Sequence, residues 1–90
     1  MPVLEPVVDE RVELQRPWQV ILFNDDVHSF DEVILQVQKA TGCSLERAVE
    51  ITYTAHTEGQ AVCFGGPLER CEMVAAKLQE IRLRVSIDRS

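Results

Sequence analysis

Basic charge is scarce in this 90-residue sequence: 9 Lys and Arg stand against 15 Asp and Glu, a formal net charge of -6. The few bases are scattered, so a phosphate backbone would be repelled and no nucleic-acid partner is expected. No run approaches the roughly 18 continuous apolar residues that a membrane helix needs. The first residues lack the basic start and apolar centre of a signal peptide. We therefore expect a soluble chain with no membrane contact, cytoplasmic or organellar after processing. Cysteine is sparse and odd in number, and Cys43, Cys63 and Cys71 show no Cys-x-x-Cys spacing. That gives little support to a disulfide frame or a zinc knuckle and favours reduced, buried thiols. A nucleophile elbow, a phosphate loop and a Glu-rich metal motif are also missing, so neither catalysis nor a cofactor is expected. The length gives one domain with one modest core.

What is present is organised around Asn24, Asp25 and Asp26. They follow the run WQVILF, apolar except for Gln19, which reads as a strand covered on both faces. After them Ser29, with Glu32 three residues on, has the spacing of a helix capping box. Two carboxylates and an amide thus lie in a short connection between rigid elements, a place suited to holding a ligand at fixed geometry.

Residues 1–16 carry two prolines and mixed charge without a sustained period. They read as a flexible arm, with a short edge strand around Val12 and Leu14 as the alternative, and residues 17–90 as the core domain. Phe30, Val33, Ile34 and Val37 recur at three and four, a helical stripe that Gly42 ends. Ser44 caps a second helix with Leu45, Ala48, Val49, Thr52, Ala55 and His56 on one side and Gly59 at its end. QAVCF is a second strand, and FGGP turns into a third helix that begins at Pro67. That helix carries Leu68, Cys71, Ala75 and Leu78 inward. In IRLRVSID the alternation of Ile81, Leu83, Val85 and Ile87 with polar residues has the period of a half-buried strand. The order β-α-α-β-α-β predicts an α+β fold, a three-stranded, mostly antiparallel sheet with the helices packed on one face.

Each polar residue in this frame has a plain reading beside a functional one. Asp25 and Asp26 are favoured near the positive end of a helix dipole, yet two acids plus an amide exceed what a cap needs. His56 is either a satisfied core histidine or a ligand group. A metal held by His28, His56 and the aspartates lacks any recognisable ligand spacing.

The run WQVILFNDDVHSFDEV, followed by a helix ending AHTEGQAVC, a third helix and a closing strand, resembles the ClpS family. These adaptors deliver N-degron substrates to the Clp ATPase of the ClpAP or ClpCP protease. The likeness spans about Pro17 to Asp88, and the Asn-Asp-Asp triplet with His56-x-x-Gly59 carries most of it. In ClpS proteins the triplet and this histidine bind the free α-amino group and first peptide units of a substrate with a bulky hydrophobic N-terminal residue. Carried over, Asn24, Asp26 and His56 hold the ammonium and Asp25 the adjoining backbone. The residue types suit that role: an ammonium brings three donors and a charge to carboxylate, amide oxygen and imidazole nitrogen.

The resemblance also implies a pocket for the first side chain. Leu22, His28, Phe30, Val33, Thr52, Ala55 and Leu83 are the positions it implies for the lining. Where the family commonly has Thr-Pro-Met, this chain has His28, Ser29 and Phe30, and Thr52 replaces a second methionine. The shorter Thr52 predicts a wider pocket mouth unless Phe30 fills the space. Glu69 matches the acid that faces the ATPase N-domain, of ClpA or ClpC type, although Val74 replaces the lysine expected further along. The usual connection before the last strand is missing, so the third helix is expected to run almost straight into it. The expectation is thus a non-enzymatic N-degron adaptor. The alternatives are an ATPase-docking domain that does not read N-degrons and a small metal-dependent hydrolase using Asp25, Asp26 and His56.

Overall fold

A computed structural model of the chain describes residues 17–89, so the arm assigned to residues 1–16 lies outside the described residues. Six elements follow in order: β1 (Trp18–Phe23), α1 (Phe30–Thr41), α2 (Leu45–Glu58), β2 (Gln60–Gly66), α3 (Leu68–Gln79) and β3 (Val85–Arg89). The strands form a sheet in the order β2-β1-β3 with both pairings antiparallel. The fold is α+β, as the element order predicts.

Val20, Ile21 and Leu22 are all buried, as a strand covered on both faces requires. Val20 and Leu22 join Ala61 and Cys63 of β2 in the core, with Val85 and Ile87 of β3 packed against it. A register shift between Val20 and Ile21 inserts one residue of β2 opposite β1. Ala61 and Cys63 share the core face by ordinary strand alternation, and the bulge pairs Val20 with Phe64, which also packs against the core.

The helices start and stop where their caps place them. Ser29 Oγ accepts from the Glu32 N–H at 3.2 Å while Glu32 Oε1 accepts from the Ser29 N–H at 2.8 Å, so the capping box is complete. Ser44 Oγ accepts from the Arg47 N–H, and Gly42 and Gly59 close α1 and α2 in the left-handed conformation.

The inward faces differ in part from the periodicity. On α2 the buried residues are Ala48, Ile51, Thr52 and Ala55, whereas Leu45, Val49 and His56 are exposed. The stripe is rotated towards Ile51, because α2 packs on both β2 and α1 and so buries the side between them. On α1 the polar Gln36 is buried; its Nε2 donates to the Lys77 carbonyl at 2.7 Å, tying α1 to the last turn of α3. On α3 Val74 is buried and Leu68 only half-buried.

The connection before β3 is a further correction. The strand begins at Val85, not Ile81, and a turn intervenes. The Arg82 N–H donates to the Gln79 carbonyl at 2.9 Å and the Leu83 N–H to the Leu78 carbonyl at 3.4 Å. That is the paired-bond helix ending in which the left-handed residue is usually glycine. Here it is Arg82, with φ 67°. Among the cysteines Cys63 and Cys71 are buried, but Cys43 is only half-buried, and all three are free thiols.

Candidate functional site

The antiparallel sheet brings three distant segments to one end of the domain: the close of β1, the close of α2 with the start of β2, and the turn before β3. Backbone bonds lock them together. The Asn24 N–H donates to the Gly59 carbonyl at 3.0 Å and the Phe23 N–H to the Arg84 carbonyl at 3.0 Å. The Asn24 carbonyl accepts from Arg84 Nη2 at 3.1 Å.

Asp25 shapes the loop that follows. Its Oδ1 accepts from the Val27 N–H at 2.6 Å and the His28 N–H at 2.8 Å, and its Oδ2 lies 2.7 Å from His28 Nδ1. Burial pushes the Asp25 carboxyl up. The hydrogen bonds from the His28 backbone and ring and from the Val27 N–H, with the charge of His28, outweigh it and hold the carboxyl below its ordinary value. Asn24 Nδ2 donates to Asp26 Oδ1 at 3.2 Å. With its amino end so engaged, the Asn24 side-chain oxygen makes no hydrogen bond among the described residues and keeps its capacity as an acceptor.

Asn24, Asp25, His28 and His56 line one recess together with Leu22, Phe23, Phe30, Val33, Thr52 and Ala55. The Thr52 hydroxyl donates to the Ala48 carbonyl at 2.8 Å, so this buried side chain has its polar atom satisfied within the helix. Phe30, 40% exposed, stands edge-on to the His56 ring with centroids 5.1 Å apart and to Tyr53 at 6.5 Å. The space is small, about 20 Å³, room for about one water. Thr52 and Phe30 both line this small space.

Two expected residues lie elsewhere. Asp26 is exposed and lines an adjoining polar groove with Asn24, Asp25, Val27, Arg82 and Arg84. Leu83 is buried in the core and lines another groove with Phe23, Gln79, Arg84 and Val85. Glu69 is exposed in the first turn of α3. The sequence reading missed Phe23, whose signal was its place at the end of the apolar run. It also missed Arg84, which alternation had made an ordinary outward strand residue.

The ClpS family model, described as ATP-dependent Clp protease adaptor protein ClpS, matches residues 13–86. The chain belongs to the ClpS family. The ATP-dependent Clp protease adapter protein ClpS of Corynebacterium jeikeium is 32% identical over 89 residues, 99% of this chain and 88% of that protein. Human E3 ubiquitin-protein ligase UBR2 is 33% identical over 63 residues, 70% of this chain but 4% of the ligase. The solved structure of Agrobacterium tumefaciens ClpS2 bound to L-phenylalaninamide superimposes with a TM-score of 0.78, covering 84% of this chain and 99% of that one. At 20% identity that likeness establishes the shared ClpS fold. ClpS proteins are Clp protease adaptors, and membership places this chain among adaptors of that protease. Among its described residues no helix is long and apolar enough to cross a membrane.

Proposed function

We propose that this ClpS-family chain is a non-enzymatic adaptor that recognises substrates with a bulky hydrophobic N-terminal residue and delivers them to a Clp ATPase-protease. The observation that carries the reading is the mixed lining of one recess, in which an amide, a carboxylate and imidazoles stand together with apolar side chains. An α-ammonium with an apolar side chain on the adjoining carbon needs both kinds of lining close together. Phenylalaninamide, the molecule in the ClpS2 structure, combines an amino group with an aromatic side chain in this way.

In this reading Asn24, Asp25 and His56 receive the ammonium. Asp26, outside the recess, orients the Asn24 amide so that its oxygen faces the ligand. The apolar side chain enters past Phe30, whose half-exposed ring swings outward from its edge contacts with His56 and Tyr53. The exposed Glu69 on α3 meets the N-domain of a ClpA- or ClpC-type ATPase.

The small size of the recess favours one other reading, a domain that docks on the ATPase without reading N-degrons. One titration separates the two. A fluorescein-labelled peptide with a free N-terminal Phe should bind and be recovered intact. Acetylating its α-amino group should weaken binding by about a hundredfold, because leaving one member of a desolvated charge pair alone costs roughly 2–5 kcal/mol. Equal affinity for the two peptides, or none for either, would reject the adaptor reading.

A further inference from the structure

Beside the recess lies a second groove, and Asn24 and Asp25 line both. Its other walls are Asp26, Val27, Arg82 and Arg84. In a chain of net charge -6 this places two arginines, matched by two aspartates, against the proposed ammonium site. The groups facing it differ in how far they are already engaged. Asp25 accepts two backbone N–H bonds and faces the His28 ring, and Asp26 accepts from Asn24. Arg84 spends one donor on the Asn24 carbonyl. The Arg82 guanidinium makes no hydrogen bond or ion pair among the described residues, and the residue is held at φ 67° where glycine is the usual occupant. A long cation kept in a strained position, at the rim of a site and without a partner, points to a role outside the fold.

The charges decide which ligand suits it. Two carboxylates and two guanidiniums balance, so the arriving ammonium leaves one positive charge in excess. A peptide anchored by its α-amino group has its next Cα about 3.8 Å further along, and the groove that Arg82 lines adjoins the recess through Asn24 and Asp25. We infer that Arg82, with Arg84 beside it, forms a subsite that favours an acidic side chain at the second or third position of the bound peptide. The inference rests on the N-degron reading above and adds a sequence preference to it.

The test uses peptides with a free N-terminal Phe followed by Asp-Asp, Ala-Ala or Lys-Lys, titrated by fluorescence anisotropy. The Asp-Asp peptide should bind about two- to fivefold more tightly than Ala-Ala, as fits a solvent-exposed ion pair, and Lys-Lys more weakly than either. Raising salt should shrink the spread. Arg82→Gly suits a left-handed position and so preserves the turn, while Arg82→Gln keeps the stem of the side chain. Both should abolish the Asp-Asp advantage while leaving the Ala-Ala affinity unchanged. Equal affinity for Asp-Asp and Lys-Lys, or an Asp-Asp advantage that survives both substitutions, would overturn the subsite yet leave the adaptor reading standing. Failure of all three peptides to bind would overturn both.

Discussion

At the scale of single residues, neighbouring acids of the same type are given different work by their surroundings. Asp25 is turned inward and bonded to the loop it opens, whereas Asp26 stays in solvent with one bond to Asn24. The family likeness implies Asp26 on the ammonium, whereas the lining of the recess, which includes Asp25, supports the proposal that Asp25 takes that place. Sequence fixes neither arrangement, because the choice depends on which carboxylate captures the Val27 and His28 N–H groups. The depressed Asp25 pKa has a definite sign for stability. A group whose folded pKa lies below its unfolded value contributes stability that is fully present above the unfolded value, near 3.8, and lost as pH falls through the folded one. The loop should therefore hold unchanged down to about pH 4 and loosen below it. Carbon-13 NMR of the Asp25 carboxyl checks this: its midpoint should lie below 3.8 and rise in His28→Ala, which removes the ring bond. A midpoint that His28→Ala leaves in place would show that the backbone donors alone hold it down.

At the scale of elements, β1, both capped helices and the core faces of the strands were legible, because apolar period and cap chemistry are local signals. What was not legible depends on contacts between elements. Gln36 is buried only because the last turn of α3 offers it a carbonyl, and Ile51 faces inward only because α2 lies across both β2 and α1. The turn before β3 hid behind an alternation that spanned it, with a left-handed arginine where glycine would have been a visible marker. The polar groups of the site were recognisable in kind, but not Phe23 or Arg84, which alternation leaves unmarked. Gly59 shows an element boundary and the site meeting in one residue. At φ 92° it ends α2 three residues after His56, and its carbonyl receives the Asn24 N–H at 3.0 Å. An added Cβ would meet nothing within 4 Å, so the cost of Gly59→Ala is conformational alone. Holding alanine left-handed costs roughly 1–2 kcal/mol. Thermal unfolding should fall by about 4–8 °C per kcal/mol for a domain of this size. Any relaxation of the turn would shift His56 relative to Asn24 and weaken binding of the Phe-first peptide as well. An unchanged melting temperature would show that the turn relaxes freely and does not set the geometry.

At the scale of the whole molecule, the proposed site exists only in the folded domain. Asn24, His56 and Arg84 are far apart in sequence and are joined where the central strand ends between its two neighbours. A ligand bridging the first two therefore stabilises global folding and not merely one loop, since it binds the native state and has no counterpart in the unfolded chain. At a free peptide concentration about a hundred times its Kd the gain is roughly 2.7 kcal/mol. With about 4–8 °C per kcal/mol, the melting temperature should rise by about 10–20 °C. The acetylated peptide at equal concentration should produce almost no shift. Cysteine labelling reports the same event from the core. Burial pushes the Cys63 thiol up to about 12 and raises that of Cys71 too, so both should resist alkylation until the domain opens, while the half-buried Cys43 is labelled first. If binding is truly coupled to global folding, saturating free peptide slows labelling of Cys63 and Cys71 in proportion to the stability gained. A higher melting temperature without slower labelling would mean that these thiols are reached through local opening of β2 and α3, on which the site has no hold.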